Sequence, residues 1–264
     1  MTPMDDPVTF GREVHERGFH ALQVDYAPGY RQAPHEHDIT GITLVVDGGF
    51  RERARGREEH ASALSVVVKP AGTVHDDVVG PRGARTVLVE LDDPTVLLED
   101  PRDLGPWRWL HAGPGVGPLL GLRRALLEPA GGPDPGEMVL ELLGEVARGP
   151  APAPHDPPAW VRRAREALDD HAPKGIRVRD LAAELDVHPV SLTRAFRRAY
   201  GVPVSVYRRR ARLRRAVAEI SGTDLPLSRI AHATGYADHA HLCREVRDAT
   251  GLTPSALRKT TRTG

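Results

Sequence analysis

The chain has 264 residues, enough for two domains at roughly 100–200 residues each. With 40% hydrophobic residues and no uninterrupted apolar run of about 18, its composition excludes a membrane-spanning protein and fits an ordinary water-soluble fold. The 36 Lys and Arg balance 36 Asp and Glu, but the halves differ: from Ala159 onward there are 21 basic against 11 acidic side chains, and the remainder holds 15 against 25. Such asymmetry suggests a nucleic-acid-facing part joined to one with another task.

The opening MTPMDDPVTFGREVHERG has no basic start, apolar run or cleavage site, so no signal peptide is expected. The single cysteine, Cys243, leaves no internal disulfide framework and points to a reducing cytoplasm. Residues 19–91 carry short β-branched runs broken by Gly and Pro, such as Ile42-Thr-Leu-Val-Val46, Leu64-Ser-Val-Val-Val68 and Thr86-Val-Leu-Val-Glu-Leu91. This spacing predicts an antiparallel sandwich or barrel. From about 116 to 148 the pattern turns helical, with Leu119, Leu120, Leu122, Leu126 and Leu127, then Met138, Val139, Leu142, Leu143 and Val146. Two amphipathic helices separated by Ala130–Gly136 are expected there, serving as core or as a dimerising pair. Gly149–Pro158, with five prolines in ten residues, reads as an extended linker.

Beyond the linker the chain repeats itself at an offset of 50 residues. Leu192-Thr-Arg194 returns as Leu242-Cys-Arg244, and Ala199, Gly201, Ser205 and Arg208 return as Ala249, Gly251, Ser255 and Arg258. Leu181–Val187 is set over Ala231–Ala237 on the same offset. Each copy has helix-turn-helix grammar. In the first, Val178, Leu181, Ala182 and Leu185 form an apolar face, Asp186-Val-His188 turns, and Pro189 opens a helix that buries Leu192, Ala195 and Phe196. In the second, Ile230 and Ala231 face inward, Thr234-Gly-Tyr236 turns, and Asp238 caps a helix burying Leu242 and Val246. Gly201 and Gly251 suit the helix ends. A basic connector, Tyr207–Ile220, joins the copies. The outward faces are Val190, Ser191, Thr193, Arg194, Arg197 and Arg198, then His239, Ala240, His241, Cys243, Arg244 and Arg247. Arginine there can hold guanine bidentately, and Ser and Thr can serve bases or phosphates.

Residues 160–260 resemble the DNA-binding domain of the AraC/XylS family of bacterial transcription regulators, most clearly in Ile230-Ala-His-Ala-Thr-Gly-Tyr-Ala-Asp238 and Gly251-Leu-Thr-Pro-Ser-Ala-Leu-Arg258. The resemblance implies two recognition helices entering successive major-groove segments of double-stranded DNA. By position, Val190, Thr193 and Arg194, then His239, Ala240, Cys243 and Arg244, match base-facing sites. Val246 stands where the family usually has phenylalanine, and residues 239–241 replace its commoner polar readers. Family members often place a cupin-type effector barrel and dimerising helices before this domain. Gly29-Tyr-Arg-Gln-Ala-Pro-His-Glu-His37 resembles the first cupin motif, and Pro70-Ala-Gly-Thr-Val-His75 the second. Two histidines at i and i+2 of a strand share a face, and His75 from a facing strand can complete a three-imidazole site for a divalent metal. The glutamate that usually follows the pair is replaced by Asp38-Ile-Thr-Gly-Ile42, with Asp38, Asp76 and Asp77 as substitutes. His35, His37 and His75 are thus open to three readings: metal site, organic effector pocket, or structural role.

The expectation is an α+β two-domain chain: an antiparallel β cupin-like barrel over 1–112, a helical dimerisation segment and Pro-rich linker over 113–158, and an all-α double helix-turn-helix domain over 159–264. It is expected to act as a cytoplasmic homodimeric regulator that binds DNA under control of a small-molecule or metal effector, and the resemblance favours activation, with RNA polymerase as a further partner. A metal-dependent cupin enzyme is the competing class; the missing glutamate and the absence of a nucleophile–base arrangement count against it.

Overall fold

The computed structural model describes residues 6–148, 157–172 and 175–262. The amino-terminal half is a barrel of antiparallel strands: β1 Val8–Glu16, β2 Phe19–Tyr26, β3 Arg31–His35, β4 Thr40–Ala54, β5 Arg57–Ser62, β6 Ser65–Lys69, β7 His75–Leu91 and β8 Arg108–His111. Along the sheet the order is β1-β2-β7-β4-β6-β8, with β3 added to β7 and β5 to β4. The β-branched runs fall in β4, β6 and β7 as the sequence predicts.

Strands β4 and β7 are long and bend sharply, with register shifts at Val45/Asp47 and Gly48/Phe50. Such irregularities raise local twist and let one strand serve two sides of a barrel. Glycine is required at the corner: Gly48 has φ +71, and a Cβ there would lie 2.1 Å from the Gly83 carbonyl oxygen. Outside the sheet, α1 (Val116–Leu127) and α2 (Pro135–Ala147) form the two expected helices. Asp134 caps α2 by accepting from the Glu137 amide, with Pro135 at its first position. Leu119, Leu120, Leu122, Leu142 and Leu143 are fully buried in this chain's own core against Ile42, Leu44, Val87 and Val89.

The linker expected over 149–158 lies outside the described residues except for Pro157 and Pro158. Seven helices follow: α3 Ala159–Asp170, α4 Val178–Glu184, α5 Pro189–Tyr200, α6 Val204–Gly222, α7 Leu227–Ala233, α8 His239–Thr250 and α9 Pro254–Arg262. The connector is a single helix, α6, that enters both units. Its first half contributes Val204, Tyr207 and Ala211 to a core with Leu181, Leu192 and Phe196. Its second half contributes Leu213, Ala216, Val217 and Ile220 to a core with Ile230, Leu242, Val246 and Leu257, and that core is continuous with α1, α2 and the sheet. Among the described residues no helix is long and apolar enough to cross a membrane.

Candidate nucleic-acid interface and histidine cluster

The two helix-turn-helix units are α4–α5 and α7–α8. Their first helices correspond at an offset of 49, not 50. Leu181 and Ala182 bury where Ile230 and Ala231 do, and the Val187 amide bonds to the Ala182 carbonyl as that of Tyr236 does to Ala231, both at 2.9 Å. The second helices keep the offset of 50, so the second turn is one residue longer and the sequence overlay of Leu181 on Ala231 is shifted by one. The left-handed residue after each first helix still corresponds at 49, Asp186 at φ +53 in one unit and Gly235 at φ +80 in the other, so the extra residue lies after it, where Ala237-Asp238 stand in place of His188 alone. Aspartate tolerates the left-handed region through its short polar side chain, glycine through lack of a Cβ.

Both recognition helices start and stop as their residues dictate. Asp238 Oδ1 accepts from the His241 amide at 2.6 Å, while His188 Nδ1 accepts more weakly from that of Val190 at 3.3 Å. Gly201 and Gly251 terminate α5 and α8 at φ +71 and +70. On α5, Val190, Ser191, Thr193, Arg194, Arg197 and Arg198 are all exposed. Thr193 Oγ1 already donates to the Pro189 carbonyl at 2.9 Å, leaving its oxygen as an acceptor. On α8, His239, Ala240, Arg244 and Arg247 are exposed, whereas His241 and Cys243 are half-buried. His241 packs edge-on to Tyr236 at 5.1 Å, and Cys243 Sγ lies 3.3 Å from His239 Nε2.

Four of the six connector arginines are committed within the protein. Arg208 donates to the Ile176 carbonyl, Arg209 pairs with Glu245 at 2.6 Å, Arg212 donates to the Gly235 carbonyl beneath the Tyr236 ring, and Arg214 pairs with Asp169 at 2.6 Å. These side chains staple α6 to both units, a role that a basic run in sequence does not distinguish from a phosphate-facing one.

The structure brings His35, His37 and His75 together. His35 and His75 are directly paired on adjacent strands β3 and β7, so His75 comes from a neighbouring strand and not a facing one, and His37 lies just past the end of β3. Ring centroids are 4.2–5.3 Å apart, and one ligand nitrogen from each lies within 4.8 Å of the others. Nδ1 of His35 is 2.9 Å from the Ala33 carbonyl, and that of His75 is 2.9 Å from the Thr73 carbonyl. A carbonyl only accepts, so those nitrogens carry the proton and each Nε2 keeps its lone pair. Both Nε2 atoms are buried without a hydrogen-bond partner among the described residues. Burial, then the nearby Lys69 ammonium, pushes His75 down to about 3, so this imidazole is neutral at pH 7.

Sequence reasoning named Asp38, Asp76 and Asp77 as carboxylate substitutes; of these, Asp77 lies near the cluster, with its Oδ2 3.7 Å from His75 Nε2. Asp38 is exposed. A buried group that sequence reasoning missed adjoins it: Glu52 pairs with Lys69 at 2.8 Å, and Asp77 lies 3.7 Å from the same ammonium. Burial raises both carboxyl groups, and their negative charges raise Lys69. These residues are distant in sequence and become neighbours only through the β4–β7 register that sets Glu52 opposite Asp77.

Between barrel and first helix-turn-helix unit lies a cleft of about 850 Å³ lined by Trp107, Trp109, Tyr200, Arg210 and Arg214 among others. Across it Glu59 of β5 pairs with Arg165 of α3, and His111 Nε2 stands 3.8 Å from the same Glu59 oxygen.

A family model described as a helix-turn-helix domain matches residues 181–260. The regulatory protein PocR of Salmonella typhimurium is 24% identical over 115 residues, 44% of this chain and 37% of its own length. The chain thus spans little more than a third of the curated relatives it matches. Among solved structures, the C-terminal domain of AraT, a response regulator from Geobacillus stearothermophilus, is 25% identical, covering 42% of this chain and 92% of that one at a TM-score of 0.39. ToxT from Vibrio cholerae is 10% identical, covering 94% and 100% at 0.41.

Proposed function

We propose that this chain, whose residues 181–260 match a helix-turn-helix domain, is an AraC-type transcription regulator that reads double-stranded DNA with both recognition helices and carries a cupin-like barrel as its effector domain. The observation that carries this reading is the repeated exposed face: Arg194 and Arg244 occupy equivalent positions on α5 and α8, both exposed and neither bonded to another side chain among the described residues. Arginine at such a position reads guanine bidentately in the major groove. Around them, Val190, Ser191, Thr193, Arg197 and Arg198 on one helix, and His239, Ala240, His241, Cys243 and Arg247 on the other, complete the two contact faces.

Control comes from an effector at His35, His37 and His75. Three imidazoles around one centre, two of them pinned through Nδ1 by backbone carbonyls, suit a divalent late transition metal. The unpartnered Nε2 atoms support that choice over an organic effector. The effector acts by differential affinity for DNA-competent and DNA-incompetent arrangements of the two halves. We further take the chain to work in the cytoplasm as a homodimer through the face of α2 that leaves Leu140 55% exposed, and to activate by contacting RNA polymerase.

Selection of bound sequences from a random duplex pool, with footprinting at two salt concentrations, tests the DNA reading. Two enriched blocks about ten base pairs apart are expected. Weak, unselective, salt-sensitive binding with and without added zinc would overturn it. Elemental analysis of untagged protein tests the metal: fewer than a tenth of an equivalent, unchanged after added zinc or iron, would assign the cluster to an organic effector.

A further inference from the structure

We infer that Glu13, His15 and His20 form a divalent-cation site at the outer end of the β1–β2 hairpin, sharing no ligand with the His35–His37–His75 cluster. In strand β1, Glu13 and His15 are two residues apart and project from one face. The hairpin register sets His15 directly opposite His20. Cross-strand partners of this kind bring their Cβ atoms to about 5 Å, the spacing at which two imidazoles can share a metal. The rings lie 3.6 Å apart at an interplanar angle of 11°. Glu13 Oε2 stands 3.1 Å from His20 Nε2 and 3.8 Å from His15 Nε2, and all three ligand atoms fall within 4.8 Å of one another. In a tetrahedral zinc site with bonds near 2.0–2.1 Å, ligand atoms are about 3.4 Å apart. The observed spread brackets that value.

A second observation concerns the far side of His20. The next strand in the sheet, β7, sets Glu90 directly opposite it, and Glu90 Oε2 is 3.5 Å from His20 Nδ1. A carboxylate behind one ring nitrogen fixes the tautomer that presents the other nitrogen to a metal, the arrangement found behind most metal-binding histidines. One row across three strands thus reads carboxylate, histidine, histidine, with Glu13 closing the set. His20 is held in place, its side chain only 19% exposed, whereas His15 is 63% exposed and free to turn out of the stacked position so that both lone pairs meet one ion. Two nitrogens and one carboxylate oxygen, with a fourth position left to water, is the donor set of an open zinc site. Binding would clip β1, an edge strand paired on one side only, to the barrel. Through Arg12, which donates to the Leu127 carbonyl at 3.1 Å, the same strand holds the end of α1.

The test uses the full chain, stripped of metal and titrated with zinc against a chromophoric chelator and with cobalt followed by visible absorption. Wild type is compared with His15→Asn/His20→Asn, Glu90→Gln and His35→Asn/His75→Asn. The hairpin double variant should lose one equivalent, Glu90→Gln should weaken that equivalent about 10- to 100-fold, and the cluster variant should keep it. Unchanged metal-free thermal melting shows that each variant folds. Equal stoichiometry and affinity in wild type and the hairpin variant would overturn the site, as would loss of all bound zinc in the cluster variant alone. Failure of the cluster to bind metal leaves the hairpin result standing, because the two equivalents are read in separate variants.

Discussion

The two helix-turn-helix units share a sequence pattern and differ in what lies behind it. The first closes on its own core of Val161, Leu168, Leu181, Leu192, Phe196 and Tyr207, and meets the barrel through a polar contact at Glu59 and Arg165. The second has no core of its own: Ile230, Leu242, Val246 and Leu257 run into α1, α2 and the sheet, and Arg85 of β7 donates to the Thr261 carbonyl at 3.0 Å. The repeat gives both units the same helices and glycine ends, while the surroundings merge one copy with the barrel's core and leave the other with a core of its own. The barrel thus meets the unit of α8 by apolar packing and that of α5 by an ion pair.

The sharpest way to break this comparison is to empty each core in turn. Phe196→Ala should cost about 3–5 kcal/mol and Leu242→Ala about 2–5 kcal/mol. In calorimetry the first should lower only the transition of the first unit, and the second should pull the barrel's transition down with it. Matched shifts from both would show that the cores are one.

Arg194→Ala and Arg244→Ala should each cost about 1–3 kcal/mol on the selected sequence and relax preference at one base pair. Equal losses on selected and random duplexes would reduce that arginine to a phosphate contact. Arg209→Ala, by contrast, should act mainly by releasing Glu245 of α8 from its ion pair, detectable as faster amide exchange in that helix before any loss on random DNA.

A smaller effect belongs to the polar contact. Burial, ahead of its charged neighbours, pushes His111 below its ordinary value, with Arg214 and Arg165 lowering it and Glu59 raising it. The unfolded chain then binds a proton below about pH 6.5 that the folded chain refuses, so stability should fall as pH drops through that point. His111→Gln should flatten the decline between pH 7 and 5 in thermal melts; an unchanged slope would remove the histidine from that contact. Smallest of all, Gly201→Ala and Gly251→Ala should each cost about 1 kcal/mol for a left-handed cap, equally in both units.

The helical half was legible because its signals are local. Period-3.6 burial, Pro189, Asp238 and the terminal glycines all act within one turn of the chain. What escaped was set by pairing at a distance. β1 is exposed along most of its length, so it shows no alternation to read. β8 is only four residues long. The one-residue slip between the units hides in a turn where Asp186 does glycine's work. The His-x-His pair is visible in sequence, but the carboxylates beside it, and the His15–His20–Glu90 row, exist only once strand register is known. In the same way the basic connector concealed which acids and carbonyls its arginines would meet.

Helix α6 is 19 residues long and belongs half to each unit. At about 1.5 Å per residue it spans roughly 28 Å. It acts as a ruler as well as a spine, and under the proposed reading of DNA it sets the distance and phase of the two recognition helices. One residue inserted between Ala211 and Leu213 would rotate one unit against the other by about 100°. The stapling arginines would lose their partners, and the register of the two half-sites would change before their individual sequences did.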